Sequence, residues 1–274
     1  MESTMRCSVK DLFIYPVKSA KGIALNHSNV QECGMAFDRH FLVTDTAGKF
    51  ITGRSKAKMV LIRTQLDANG ITLDAPQMPS LTLQHLDFTN DYHPVQVWGD
   101  NFKGQHCSAE VDTWLSQYLG VTCRLYYFGP NSVRHVKNTT HPVSFADGYP
   151  LLLISQASLL DLNQKSSQRH SMMQFRPNIV ATGCGPFAED SWHKIRIGDV
   201  EFVLSKPCSR CVFTTVDPAT GKRNENKEPL STLRKYRQGQ DGQIYFGQNL
   251  IPLNSGQIHV GDKIEILSSQ ATDF

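Results

Sequence analysis

The first hundred residues alternate short apolar runs with turn-forming residues, and this pattern predicts a series of β-strands. The predicted strands lie at residues 9–17, 41–44, 49–52, 59–66, 71–73, 81–83 and 95–98. The segments 45–48 and 67–70 each separate two of these runs and end in a glycine that can adopt the positive φ of a hairpin turn. Closely spaced strands joined by such turns are typical of a barrel or sandwich.

Helical patterns interrupt the strands in three places. The clearest is at residues 109–119, where apolar side chains recur every three or four positions and would share one helical face. Ser108 is suited to cap this helix and Gly120 to end it. Two further helices are predicted to begin near Ser155 and near Pro229. The second begins at a proline, which suits the first turn of a helix.

Apolar runs between and after these helices predict more strands. They lie at residues 151–154, 179–181, 195–197, 200–204, 211–216, 244–246 and 263–267. The chain is therefore predicted to be a mixed α+β protein that is β-dominated and has a few flanking helices. The polar segment 129–148 is poor in strands, so it either joins two halves of the chain or covers a site.

Composition narrows the class of protein without indicating a function. The chain has 274 residues and a net charge of only +3, which gives no reason to expect nucleic acid or a membrane as a partner. No apolar run reaches the roughly 18 residues of a membrane helix, and residues 1–10 lack a signal-peptide pattern. Seven cysteines, an odd number in a chain of this size, favour a reducing compartment. We therefore expect a cytoplasmic protein.

Two cysteines separated by two residues, Cys208 and Cys211, form the sharpest chemical motif. A zinc site needs four ligands, and the sequence has no second Cys-x-x-Cys and no clustered histidine pair. A thioredoxin-like disulfide belongs at a helix N-terminus, whereas Cys211 opens a β-branched run that is predicted to be a strand. The pattern favours a single reactive thiolate at Cys211, which the neighbouring Arg210 would stabilise and which suits a transition metal.

Several motifs in one order resemble the MOSC family, which includes amidoxime-reducing enzymes and sulfurases of the molybdenum cofactor. Residues 208–221 (CSRCVFTTVDPATG) and 227–237 (KEPLSTLRKYR) resemble the MOSC domain. The β-barrel segment that precedes this domain is similar to YPVKS at 15–19, DRHFLV at 38–43 and ITGR at 51–54. Further matches lie at 151–158, 175–179 and 189–192. The resemblance implies a MOSC N-terminal β-barrel-like domain at residues 1–125 and a MOSC β-barrel domain at residues 126–274.

The resemblance also implies roles for particular residues. The second cysteine of the matched motif coordinates molybdenum in the amidoxime-reducing relatives, so Cys211 is the expected metal ligand and catalytic residue, with Cys208 as its neighbour. The implied cofactor is molybdenum–molybdopterin, whose phosphate needs cations and hydrogen-bond donors around it. The residues expected to bind it are Lys18, Ser19, Arg39, Ser155, Arg176, Asn178 and Ser209. Weaker candidates for the site are Arg54, Asp147, Asp190, His135 and His141.

The reaction implied by the resemblance is the reduction of small N-hydroxylated compounds such as amidoximes, hydroxylamines and N-hydroxylated bases. Each turnover consumes two electrons and two protons and releases water. The cysteine spacings of this sequence do not fit an iron–sulfur cluster. Either a ferredoxin domain lies outside this sequence, or a separate protein donates electrons: a ferredoxin-like protein, a flavin reductase or a cytochrome.

Two other functions are compatible with the same motifs. In a sulfur carrier or transferase Cys211 would hold a persulfide, although the chain is too short for the desulfurase domain of the sulfurase relatives. A molybdenum-cofactor carrier would bind the cofactor without reducing a substrate. Molybdenum content combined with reduction of N-hydroxylated compounds distinguishes the reductase from both.

Overall fold

Three α-helices lie within residues 7–272, the part of the chain that the computed structural model describes. They are α1 (Ala109–Leu119), α2 (Gln156–Lys165) and α3 (Leu230–Arg237). All three lie where the apolar pattern predicts them. The Ser108 hydroxyl accepts a hydrogen bond from the Val111 amide at the start of α1, and Gly120 ends the helix in the left-handed conformation, with φ 64°.

Eighteen β-strands make up most of the remaining regular structure of residues 7–272. In chain order they are β1 (Ser8–Ile14), β2 (Ile23–Leu25), β3 (His27–Gln31), β4 (Gly34–Met35), β5 (Phe41–Thr44), β6 (Arg63–Leu66), β7 (Gly70–Asp74), β8 (Leu81–Gln84), β9 (Tyr92–Val97), β10 (Asp100–His106), β11 (Arg124–Tyr127), β12 (Leu151–Ser155), β13 (Ile179–Thr182), β14 (Trp192–Ile197), β15 (Val200–Ser209), β16 (Tyr245–Pro252), β17 (Gly256–His259) and β18 (Ile264–Ser269). The predicted mixed α+β, β-dominated fold class is confirmed.

The strands form one large sheet and three small ones. The large sheet has eight strands in the order β18-β14-β15-β16-β12-β13-β1-β2, and only the β12–β13 pair in it is parallel. The small sheets have the orders β5-β11-β10-β9, β17-β3-β4 and β6-β7-β8. Helix α1 packs its buried face against the sheet β5-β11-β10-β9, in a cluster with Phe41 and Leu125.

Strands from the two ends of the chain are interleaved. β1 pairs with β13, and β17 pairs with β3. N-terminal and C-terminal strands therefore lie side by side in the same sheets. Strand β11 itself crosses the predicted domain boundary at residue 125. A division at 125 stays a prediction about domains, but hydrogen bonding continues across it.

Two predicted strands fold as 3₁₀ helices over part or all of their length, and a third, 49–52, forms only isolated β-bridges. Residues 57–61 form a 3₁₀ helix that buries Met59 and Val60, and only the end of the predicted strand 59–66 is extended, as β6. Residues 212–215 also form a 3₁₀ helix instead of a strand. In that turn the hydroxyls of Thr214 and Thr215 donate to carbonyl oxygens three residues earlier, at 3.0 and 2.7 Å. Such local hydrogen bonds compete with a strand ladder, which explains why the β-branched run misled the prediction.

Within residues 7–272, no helix is long and apolar enough to cross a membrane. The same residues contain no group of three or more His, Cys, Asp or Glu side chains placed to hold a metal ion.

Candidate active site

One cavity contains most of the residues that the sequence singled out. It encloses about 880 Å³ of space, including the part open to solvent. Its lining comes from the segment after β1, the turn between β9 and β10, residues 146–149, and the end of β15 with the 3₁₀ turn that follows. Of the predicted site residues, those that line it are Lys18, Ser19, Arg39, Arg176, Asn178, Ser209 and Cys211.

Ser155 is not among the lining residues, and its predicted role as a cofactor contact is not supported by its position. Its side chain is fully buried at the end of β12, where it caps α2 by accepting a hydrogen bond from the Ser158 amide at 3.0 Å. The Ser155 amide donates to the buried carboxylate of Glu189 at 3.0 Å. A serine at a strand-to-helix junction is typical of an N-cap, and that signal competed with the motif match.

Positive charge dominates the cavity wall. Five cationic side chains line it, Lys18, Arg39, Arg54, Arg176 and Arg210, whereas Asp147 is the one carboxylate among its described lining residues. Two guanidinium nitrogens, Arg176 Nη2 and Arg210 Nε, are buried without a hydrogen-bond partner in the described part of the chain. Buried donors are normally satisfied, so this wall is suited to an anion that supplies acceptor oxygens.

Lys18 and Asp147 form an ion pair at the cavity. Lys18 Nζ donates to Asp147 Oδ1 at 2.7 Å and to the Phe145 carbonyl oxygen at 2.8 Å. Burial lowers the pKa of Lys18 to about 8, although the Asp147 carboxylate opposes this shift. Desolvation raises the pKa of Asp147, but the charge of Lys18 outweighs it and holds that pKa well below its usual range. Asp147 is therefore ionised at neutral pH.

A buried tyrosine ring lies against two of the arginines that line the cavity. The guanidinium groups of Arg39 and Arg176 lie 4.3 and 4.0 Å from the ring centroid of Tyr15, which is fully buried. Arg39 Nη1 also donates to Asp38 at 2.5 Å and to Asn178 Oδ1 at 2.9 Å. Burial lowers the pKa of Arg176 to about 10, which leaves its guanidinium charged at neutral pH.

Asn178 lines the cavity, but its side-chain amide makes its hydrogen bonds to other protein groups. Its Oδ1 accepts from Arg39 and from the Leu152 amide, and its Nδ2 donates to the Phe13 carbonyl oxygen at 3.1 Å. The side chain is 1% exposed. Asn178 therefore orients Arg39, which is a positioning role that the sequence did not distinguish from direct contact.

Backbone strain is concentrated at the same cavity. Four of its lining residues other than glycine have φ between 52° and 71°: Ser19, Arg39, Trp98 and Arg176. Each such conformation costs on the order of 1–3 kcal/mol and persists only where the surrounding structure holds it. Strained backbone of this kind is frequent at ligand-binding sites.

Cys211 lines the cavity at the position immediately before the 3₁₀ turn 212–215, and its side chain is exposed. The sequence led us to expect Arg210 beside the Cys211 thiol, but the guanidinium has other partners. Arg210 Nη1 lies 3.0 Å from Cys208 Sγ, and Nη2 donates to the Phe175 carbonyl oxygen. Both thiols are free. The turn also removes one argument against a thioredoxin-like motif, but β15 is antiparallel to both of its neighbours and not part of a βαβ unit.

The weaker candidates divide between the cavity and elsewhere. Arg54 and Asp147 line it, whereas His135, His141 and Asp190 do not. Asp190 is buried and binds Arg237 at 2.6 Å and Gln248 at 2.7 Å, so it stabilises the fold. Lining residues that the sequence analysis missed include Trp98, Gln174 and Phe213. Trp98 was predicted to end the strand 95–98, and the glycine that follows it was the available signal for a turn at this position.

Comparison with known proteins places this site in a family. Residues 6–122 match the MOSC N-terminal beta barrel domain, and residues 140–265 match the MOSC domain. The mitochondrial amidoxime-reducing component 1 of Mus musculus is 37% identical, over 95% of this chain and 82% of its own length. The human protein of the same name is 35% identical over 95% and 83%. Mitochondrial amidoxime reducing component 2 of Rattus norvegicus is 37% identical over 84% and 72%.

These matches extend over nearly the whole chain in the order that the motifs predict, and the cavity draws residues from both matched regions. The chain therefore belongs to the MOSC family, among the members that carry the MOSC N-terminal beta barrel domain before the MOSC domain.

Proposed function

We propose that this protein reduces small N-hydroxylated compounds with a molybdenum–molybdopterin cofactor bound in the basic cavity and Cys211 as the thiolate ligand. The observation that carries the proposal is that an exposed thiol shares one cavity with five cationic side chains. The relatives named above, whose names include amidoxime reduction, support the same reaction class.

The lining residues fit the chemistry of such a cofactor. A thiolate is a soft ligand suited to a transition metal, and Cys211 is the exposed thiol of the cavity. The unpartnered donors Arg176 Nη2 and Arg210 Nε are available for pterin or phosphate oxygens. The Ser19 and Ser209 hydroxyls make no hydrogen bond to other described residues, so they are also free to donate.

When bound, the cofactor would accept the oxygen of an N–OH group and store the two electrons of the reaction. The protein's own residues bind and orient. Lys18 and Arg39 place positive charge opposite an anionic ligand, and the Tyr15 ring and Asn178 fix the direction of Arg39. The 3₁₀ turn fixes Cys211, because the Gln174 side chain donates to the Thr214 carbonyl oxygen at 3.1 Å.

The proposal includes a separate electron-donor protein of the ferredoxin, flavin reductase or cytochrome kind, and a cytoplasmic location. The cysteine spacings of this sequence do not fit an iron–sulfur cluster, so the proposal takes the electrons from outside these 274 residues. The odd cysteine number and the seven free thiols of the described chain are compatible with a reducing compartment.

The first test is metal analysis of the protein purified from a host that makes the cofactor. We expect near-stoichiometric molybdenum in the wild type and reduction of an amidoxime with a chemical electron donor. Cys211→Ala should retain pterin but lose the metal–thiolate absorption and the activity. Cys33→Ala, which removes a half-buried thiol outside the cavity, is the matched control and should behave like the wild type.

Other outcomes identify the alternatives. A wild-type protein without molybdenum, from a host that loads a control enzyme, would rule out the reductase. A persulfide on Cys211 in place of metal would indicate sulfur transfer. Bound cofactor that stays inactive with a competent donor would indicate a carrier.

A further inference from the structure

Trp98 occupies an unusual position at the mouth of the cavity. It lies with Gly99 in the turn between β9 and β10, and its backbone φ is 56°. Its side chain is 46% exposed, whereas Trp114 and Trp192 are 6% and 5% exposed. A bulky aromatic residue in the left-handed region is strained, and here it also leaves apolar surface in water.

Three contacts hold the Trp98 ring in place. Its Nε1 donates to Asp147 Oδ1 at 3.0 Å. The Arg54 guanidinium lies 4.0 Å from the ring centroid, and the Phe50 ring packs edge-on at 5.3 Å between centroids. The indole is therefore fixed in the cavity wall, not free in the turn, and its exposed part forms a rigid surface for stacking.

Asp147 presents the other half of this surface. Its Oδ1 accepts from both Lys18 and Trp98, whereas its Oδ2 accepts no hydrogen bond from the described residues. The side chain is 74% exposed. An ionised carboxylate with a free oxygen is poorly suited to an anionic cofactor but is a good acceptor for an N–H donor. An amidoxime carries such a donor, since its amino group is on the same carbon as the N-hydroxyl nitrogen.

We propose that Trp98 and Asp147 form a substrate subsite that selects amidoximes carrying an aromatic ring. The ring stacks on the exposed part of the indole, and the amino group donates to Asp147 Oδ2. This inference rests on the proposed reductase function. It adds a basis for choice among N-hydroxylated compounds, because small hydroxylamines offer neither a ring nor an amidine nitrogen.

Binding tests the subsite without any turnover. Benzamidine, which has the ring and the amidine but no N–O bond, should quench tryptophan fluorescence of the wild-type protein in a saturable way, since the other two tryptophans are buried. By calorimetry, Trp98→Ala should weaken benzamidine binding roughly five- to tenfold, and Trp98→Phe should weaken it less because it keeps a ring. Acetamidine, which lacks the ring, should show no such ranking among the three proteins.

The Asp147 contact has its own comparison. Benzamidoxime and benzaldehyde oxime share the ring and the N–OH group, but only the first has an amino group. Asp147→Asn should reduce the preference for benzamidoxime by about tenfold in binding, as expected for a hydrogen bond to a charged group. An unchanged preference would show that the amino group does not bind Asp147.

Turnover by the cofactor-loaded enzyme completes the test. The ratio of kcat/KM for benzamidoxime to that for acetamidoxime should fall roughly five- to tenfold in Trp98→Ala. Phe37→Ala is the matched control because Phe37 is also exposed, has φ 65° and lies outside the cavity lining. That variant should keep the wild-type ratio.

The results separate the two proposals. Ring-dependent binding by a loaded enzyme that reduces neither amidoxime would reject the reductase function and keep the subsite. Reduction with an unchanged ratio in Trp98→Ala, or an equal loss for both amidoximes, would reject the subsite and keep the reductase.

Discussion

Lys18 combines burial with charge more sharply than any other residue described at the cavity. It is 5% exposed, and its pKa of about 8 lies below the ordinary value of 10.5 because burial disfavours the ammonium. Between these values the unfolded chain binds more protons than the folded one. The contribution of Lys18 to the free energy of unfolding therefore rises with pH in this window.

This sign leads to a prediction about Lys18→Met. Relative to the variant, the wild type should gain about 2 kcal/mol in free energy of unfolding between pH 8 and roughly pH 9.5. Urea unfolding of both proteins across this range measures the gain. Lys21→Met, which removes an exposed lysine nearby, controls for the loss of one positive charge. Parallel pH profiles of wild type and Lys18→Met would contradict the burial of a charged lysine.

Ser155 illustrates a residue whose motif indicated one role and whose contacts indicate another. Its hydroxyl caps α2 and also lies 2.6 Å from the Ser158 hydroxyl, which in turn donates to Glu189. We expect Ser155→Ala to lower the free energy of unfolding by about 1–2 kcal/mol, because the cap is lost and a buried network is broken. Chemical denaturation measures this, and Ser209→Ala, at an exposed position, should change stability much less.

The molybdenum content of Ser155→Ala decides between the two roles. A structural cap predicts that the folded variant keeps a wild-type metal content. A variant of unchanged stability that fails to load cofactor would restore Ser155 as a binding residue.

At the scale of elements, the 3₁₀ turn after β15 packs against a distant segment of the chain that contains Gly53. A Cβ atom at Gly53 would lie 2.0 Å from Cε2 of Phe213, the second residue of the turn. Arg223 Nη2 donates to the Arg54 carbonyl oxygen at 2.6 Å and joins the same two segments. The place of Cys211 thus depends on a glycine more than 150 residues earlier in the chain.

Gly53→Ala should displace Phe213 and the turn that carries Cys211. We expect a loss of about 1–3 kcal/mol in stability, as for other overpacked sites, together with reduced molybdenum content. Gly185→Ala, where an added Cβ has no atom within 4 Å, is the matched control. Adding Phe213→Leu to Gly53→Ala should restore part of the metal content, and a wild-type content in Gly53→Ala alone would contradict the close approach.

At the scale of the whole molecule, the interleaved strands bring the cavity together. Arg39 reaches Asn178 across 139 positions of sequence, and Lys18 reaches Asp147 across 129. These contacts form because β1 pairs with β13 in the large sheet while β5 pairs with β11 in a neighbouring one. The site is therefore a product of both matched regions, and neither region alone supplies its charged wall.

Local patterns were sufficient for most elements and for the family. The bounds of α1 followed from its cap, its apolar spacing and its terminal glycine, since these signals act within one or two helical turns. The motif order identified a common set of residues, and all but Ser155 of the predicted contacts line one cavity. The run at residues 211–216 was wrong because threonine hydroxyls can bond to the backbone of their own turn.

Side-chain direction, burial and partners depended on packing between distant segments. Sequence proximity suggested that Arg210 faces Cys211. Its long side chain instead places the guanidinium against the Cys208 sulfur and the Phe175 carbonyl oxygen. Trp98 carried no strong signal in its turn, and its value as a stacking surface arises from Arg54 and Asp147. Apolar periodicity and caps are short-range and can be taken from the chain itself, whereas the shape and charge of a cavity require every segment around it to be in place.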